Sequence, residues 1–186
     1  FDGPTSAELR LDGHMVVIDL SAVHASPALG LLMTCAAAWV QALLESASAG
    51  RNILVVDEAW AILADVAVAR WLRATWKLSR SLGVANIAVL HRLSDLRAAG
   101  PAGSEQAMLA EGLLADSETR VVYAQPPGEL AHTRHALGLT GTESELLPRL
   151  RRGVALWKVG ERSFLVEHVL SADEAALVDT DGRMGR

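Results

Sequence analysis

The sequence predicts an α/β fold: a mainly parallel sheet flanked by helices on both faces, with an antiparallel hairpin at the C-terminal end. Three observations lead there. Short β-branched runs alternate with helical patterns four times, the order expected of crossover units. A hairpin signal, Gly160-Glu161 between two apolar-rich runs, then ends the alternation. Hydrophobic residues make up 51% of the 186 residues and aromatics only 4%. That composition suits a core of Ala, Leu and Val, in which helices pack on a sheet.

The elements follow in order. Residues 1–13 carry the turn signals Gly3-Pro4 and Asp12-Gly13 and read as a loop or short hairpin. His14 to Leu20 reads as a strand. Ser26 is the expected N-cap, with Pro27 in the first turn, of a helix running to about Ser48 and closed by Gly50. Asn52–Val56 is a buried strand by its unbroken apolar run. Asp65 caps a helix over Val66–Leu82, which Gly83 ends. Ala85–Leu90 is the next strand. A loop at Gly100–Gly103 leads to a helix over Ser104–Leu114, then a strand over Thr119–Ala124. Gly128–Leu137 is a short helix. Thr142-Glu143-Ser144-Glu145 matches a capping box for a helix to Arg151. Gly153–Val159 and Arg162–Val169 form the hairpin. Ser171-Ala172-Asp173-Glu174 is a second capping box before a last short helix, and the tail from Asp179 is polar.

Composition narrows the function. A formal charge of -5 gives no global basic footprint, against a free-standing nucleic-acid binder. The longest apolar stretch, Ala28 to Val40, falls short of the roughly 20 residues a membrane-spanning helix needs. The single cysteine, Cys35, lies in an apolar run and reads as a buried thiol.

The densest chemistry stands at Asp57-Glu58, directly after the Asn52–Val56 strand. In open α/β sheets, ligands bind at the carboxyl ends of the strands. There one acid can serve a Mg²⁺ shell while its neighbour orients or deprotonates a water attacking a phosphate. The alternative is two solvated acids at a strand end. A phosphate cradle would require G-x-x-x-x-G-K-[ST]. The only lysines, Lys77 and Lys158, follow no glycine, so this sequence carries no such loop. If the acids form a nucleotide site, the cradle is expected upstream of Phe1 in a longer chain.

Other candidates are secondary. Arg73, Lys77 and Arg80 fall at i, i+4 and i+7, one helix face, with Arg70 nearby. That face is either solvated or offers an arginine finger to a neighbouring subunit. His91, at the end of the strand after the one bearing Asp57, can reach the same edge; the alternative is a capping or exposed histidine. His132 and His135 are i, i+3 but lack a third metal ligand, so a solvated face is favoured. Arg149, Arg151 and Arg152 fit a helix C-terminus. Trp39, Trp71 and Trp76 read as packing anchors.

Phe1-Asp2-Gly3-Pro4-Thr5, the Val16–Ser21 stretch and Leu54-Val55-Val56-Asp57-Glu58-Ala59-Trp60 together resemble the C-terminal half of VirB4-type ATPases. These are the conjugation and type IV secretion motors of the HerA/FtsK-like group. The segments Trp71–Arg73 to Arg80–Val84, and Leu137-Gly138-Leu139-Thr140-x-x-Glu143 with Leu150 and Gly153, are similar to the family's later elements. Asp-Glu-Ala-Trp is the most specific piece of a likeness that covers nearly the whole chain. It implies one α/β domain over residues 1–186, the C-terminal portion of a RecA-like motor domain with its Walker B element and without its Walker A loop. By the same resemblance, Asp57 serves Mg²⁺, Glu58 is the catalytic base, and Arg73 or Arg80 acts on a neighbour's ATP. Where the family carries Gln after its next strand, this chain has Leu90-His91-Arg92. Either His91 substitutes there or hydrolysis is impaired. The family further implies ATP, a hexameric ring, other type IV secretion components, DNA or protein as cargo, and a cytoplasmic place at the inner face of the cell membrane. Two other readings stay open: a non-catalytic assembly module of a secretion system, and a DNA translocase unconnected with secretion.

Overall fold

A computed structural model describes residues 13–23, 26, 28–45, 50–98, 100–101 and 103–178. Expectations for residues 1–12 and for the tail from Asp179 lie outside the described residues. Helix α1 spans Leu29–Leu44. Strand β1 (Asn52–Val56) is followed by α2 (Ala59–Leu63), α3 (Val66–Lys77) and α4 (Ser79–Leu82). Strand β2 (Val84–Ala88) leads to α5 (Asp95–Ala98), α6 (Glu105–Asp116) and β3 (Thr119–Val122). Helices α7 (Leu130–Leu137) and α8 (Gly141–Leu146) precede the hairpin β4 (Val154–Val159) and β5 (Arg162–Glu167). Helix α9 (Ala172–Val178) closes the series.

The sheet differs from the expected one. β1 and β2 pair in parallel, Asn52 opposite Val84 through Val56 opposite Ala88. β3 does not extend that pair. It joins the hairpin in an antiparallel sheet of order β3-β4-β5. A β-branched run predicts a strand but not its partner, and the adjoining hairpin offers β3 a complete ladder. The expectation of helices on both faces also fails among the described residues. Leu54 and Val56 turn toward the helices, whereas Ile53 and Val55 are 69% and 57% exposed. An unbroken apolar run reads as doubly buried; here it is covered on one side.

One core serves both sheets. Val56 of β1, Val122 of β3 and Leu156 of β4 belong to a single buried cluster with Leu72 of α3, Leu113 of α6 and Leu147. Helix α3 is its organiser, packing on α6 and on α1. Asp65 starts α3 as expected: its carboxylate accepts the N–H groups of Ala67 and Val68 at 2.9 and 3.1 Å. Asp65→Ala is expected to cost about 1 kcal/mol, a typical N-cap loss, as a lower urea midpoint at unchanged m-value.

Several boundaries move. His14 to Leu20, expected as a strand, has no strand partner among the described residues. Helix α1 starts at Leu29, and Ser26 prepares it through a side-chain bond to the Ala28 N–H. The expected helix over Val66–Leu82 breaks at Leu78, and Gly83 (φ 63°) ends its short sequel in the left-handed region. The capping box forms two residues early. Thr140 accepts the Glu143 N–H and Glu143 accepts the Thr140 N–H at 2.7 Å. Gly138 at φ 60° has just closed α7, so Thr140 is the first residue free to cap α8. Cys35 is exposed, not buried; α1 is apolar all round, and its inner face is set by Met33, Ala37 and Leu44.

Glu143 also ties α8 to the hairpin. Its carboxylate accepts the Ser163 hydroxyl and lies 3.6 Å from the Lys158 ammonium. Lys158 and Ser163 are cross-strand partners on β4 and β5. Both charged side chains are nearly enclosed, at 11% and 14% exposure.

Candidate functional site

β1 ends at Val56, and the chain turns sharply through Asp57 and Glu58 into α2. Glu58 adopts φ 52°, ψ 43°, a left-handed conformation. It is the one non-glycine residue with positive φ among those described. A non-glycine residue there costs about 1 kcal/mol or more. The turn is fastened from β2's side. The Val89 N–H donates to the Val56 carbonyl at 2.9 Å, and the Val89 carbonyl accepts the Ala59 N–H at 3.1 Å. The Asp57 carboxylate accepts the Glu58 N–H at 2.9 Å through Oδ1.

The same backbone clasp brings His91, two residues past Val89, against Glu58. Its Nε2 lies 2.9 Å from Glu58 Oε1. The other carboxylate oxygen, Oε2, accepts the indole N–H of Trp60. Asp57, Glu58 and His91 are all exposed. They therefore gather at the carboxyl edge of the parallel pair, as their sequence positions predicted. Sequence position alone gives Trp60 no role. Its contact accompanies the left-handed turn at Glu58, which no local pattern announces.

The basic face does not gather with them. Arg70 is held by Glu105 at 2.6 and 2.8 Å. Arg73 leans over Gly112 of α6, where an added Cβ would come within 2.7 Å of the guanidinium. Its Nε lies 3.9 Å from Asp116. Lys77 ends α3, exposed. Arg80 sits on α4, beyond the break at Leu78, beside Arg51, Asn52, Gly83 and Val84. That is the amino-terminal edge of β1 and β2, one strand length, roughly 15 Å, from Glu58. Arg80 is exposed and has no described ion-pair partner.

Three of the remaining candidates make structural contacts. His132 bonds the Leu93 carbonyl at 3.1 Å, tying α7 to the segment after His91. Arg151 grips Glu167 across the base of the hairpin at 2.7 Å. Trp71 packs against the core and donates its N–H to Gln41 of α1 at 3.0 Å.

Among the described residues, no group of three or more His, Cys, Asp or Glu could hold a metal by itself. Asp57 fits a different donor set. Its Oδ2 accepts none of the described hydrogen bonds and its side chain faces solvent. Mg²⁺ is commonly held by one or two carboxylates, with water and substrate phosphates completing its shell.

No protein-family model matches the sequence, and no curated protein matches it. A solved structure does. VirB4 of Thermoanaerobacter pseudethanolicus aligns with 84% of this chain at a TM-score of 0.71 and 21% identity. The fold is VirB4-like. At that identity the likeness is one of fold, and the chain spans 41% of the VirB4 chain it matches. The VirB4-like fold agrees with the α/β class read from sequence. No helix among the described residues is long and apolar enough to cross a membrane.

Proposed function

We propose that this chain is the C-terminal portion of a VirB4-type ATPase motor domain, with Asp57 and Glu58 as the catalytic half of its nucleotide site. The observation that carries this reading is the cluster of Asp57, Glu58 and His91 at the carboxyl edge of a parallel strand pair. The VirB4-like fold supports it. In this reading Asp57 would hold Mg²⁺ through water, and Mg²⁺, when bound, neutralises charge on the phosphates. Glu58 accepts the proton of the attacking water. His91 stands against Glu58 in the sensor position. The phosphate cradle comes from a segment outside this sequence.

The partners follow from the same reading. The motor works as a ring, proposed to be hexameric, at the inner face of the cell membrane with other type IV secretion components. It powers secretion or conjugative DNA transfer. Of the two arginine candidates, Arg80 is the one we assign to a neighbour's nucleotide, because it is exposed and stands away from its own chain's acids. Arg73 is engaged with α6.

ATP turnover tests the proposal. The full-length protein is expected to hydrolyse ATP with Mg²⁺, and the 186-residue chain alone is expected to show none. An inactive full-length protein would overturn the motor reading and favour an assembly module. Turnover by the isolated chain that disappears in Glu58→Gln would overturn the need for a cradle supplied from elsewhere.

A further inference from the structure

We infer that Trp60 is a positioning residue for Glu58: together with His91 it holds the carboxylate by both oxygens at the edge of the parallel pair. The inference rests on the reading of Glu58 as the base. Glu58 is half-exposed, at 48% of its side chain. An unheld glutamate there would sample several rotamers, and a base that wanders by an ångström loses much of its effect. Here neither oxygen is left to wander. Oε2 accepts the Trp60 N–H and Oε1 meets His91 Nε2 at 2.9 Å.

The two holders are themselves fixed, by different means. The Trp60 ring is partly buried and packs against the main core cluster. Its N–H is a donor only, so its direction is set by the packing of the ring. His91 is placed by the Val89 backbone clasp on the same turn. The left-handed backbone at Glu58 is what lets its side chain fold back toward a residue two places on. Phenylalanine keeps an aromatic ring against the core but has no N–H to donate. The competing account is that the indole N–H simply takes the nearest acceptor, as partly buried tryptophans usually do.

Two measurements test the inference: the first tests the contact, and the second separates positioning from incidental bonding. In the ¹⁵N-labelled 186-residue chain, the Trp60 indole N–H is identified by its loss in Trp60→Phe. Its exchange with solvent is expected to quicken by about tenfold or more in both Glu58→Ala and Glu58→Asp, which cannot reach it. Unchanged exchange in both variants would overturn the contact. In the full-length protein, Trp60→Phe is expected to lower kcat about tenfold while KM for ATP stays within about twofold. His91→Gln, which keeps an N–H donor, is expected to retain more turnover than His91→Ala. An unchanged kcat in Trp60→Phe, with Glu58→Gln inactive, would overturn the positioning role. Unchanged turnover in Glu58→Gln would instead overturn the reading of Glu58 as base, and the exchange result would still decide the contact.

Discussion

Glu143→Gln is expected to destabilise the chain by about 1–3 kcal/mol at pH 7, read from urea unfolding, with the loss shrinking in acid. Burial alone pushes the Glu143 carboxyl upward. The Ser163 hydroxyl, the Thr140 N–H and hydroxyl, and the Lys158 ammonium outweigh it and hold the group at about 2, against an ordinary 4.5. A depressed carboxylate contributes its stability above the unfolded value. That contribution is complete above about pH 4.5 and is lost as pH falls toward about 2. The variant removes the charge-dependent part of that contribution at every pH and keeps a single acceptor oxygen. It also leaves the Lys158 ammonium nearly enclosed without its counter-charge, while Arg120 stands opposite Lys158 on β3. Breaking one side of a buried pair is costly for that reason. The difference between the two proteins should therefore be largest near neutrality and shrink through pH 4 and 3. A loss under about 1 kcal/mol, or one independent of pH, would show that Glu143 does not join α8 to the hairpin in solution.

Much of the fold was legible where a single residue dictates local backbone. Asp65 caps α3, Gly83 ends α4 in the left-handed region, and Ser171 with Glu174 forms the expected box before α9. Gly160 turns the hairpin with Val159 opposite Arg162. What failed was partnership. A strand is defined by the ladder it joins, and the sequence does not say which edge receives β3, nor that residues 15–20 join none of the described strands. The choice between two overlapping capping boxes was of the same kind. Thr140 and Thr142 both precede a glutamate by three, and the end of α7 at Gly138 decides in favour of Thr140.

The site divides along the same line. Asp57, Glu58 and His91 were legible because two parallel strands joined by a helical crossover end at the same edge. The arginines were less so. Helical spacing gave Arg73, Lys77 and Arg80 one face, but the break at Leu78 separates Arg80 from the others. Gly112 supplies the space into which Arg73 folds. The Trp60 contact was hidden because it goes with a backbone conformation that glutamate rarely adopts.

Replacing Glu58 is expected to have the largest effect on activity. Glutamine keeps the side chain's size and retains an oxygen for the Trp60 N–H, but it cannot take a proton from water at neutral pH. Loss of a general base typically costs about 10²- to 10⁴-fold in rate. Nucleotide affinity should persist, because in the proposed site the phosphates are held by a cradle other than these acids. The two acids thus predict different failures. Asp57→Ala should weaken the Mg²⁺ dependence of nucleotide binding, whereas Glu58→Gln should bind ATP and stall.

The most direct test of the Asp57-Glu58 edge as a catalytic half-site is paired ATP binding and turnover in full-length Glu58→Gln. Affinity within about threefold of wild type, with turnover reduced at least about a hundredfold, is the result expected of a lost base. Turnover equal to that of the wild-type protein would contradict it and return the two acids to the status of solvated residues at a strand end.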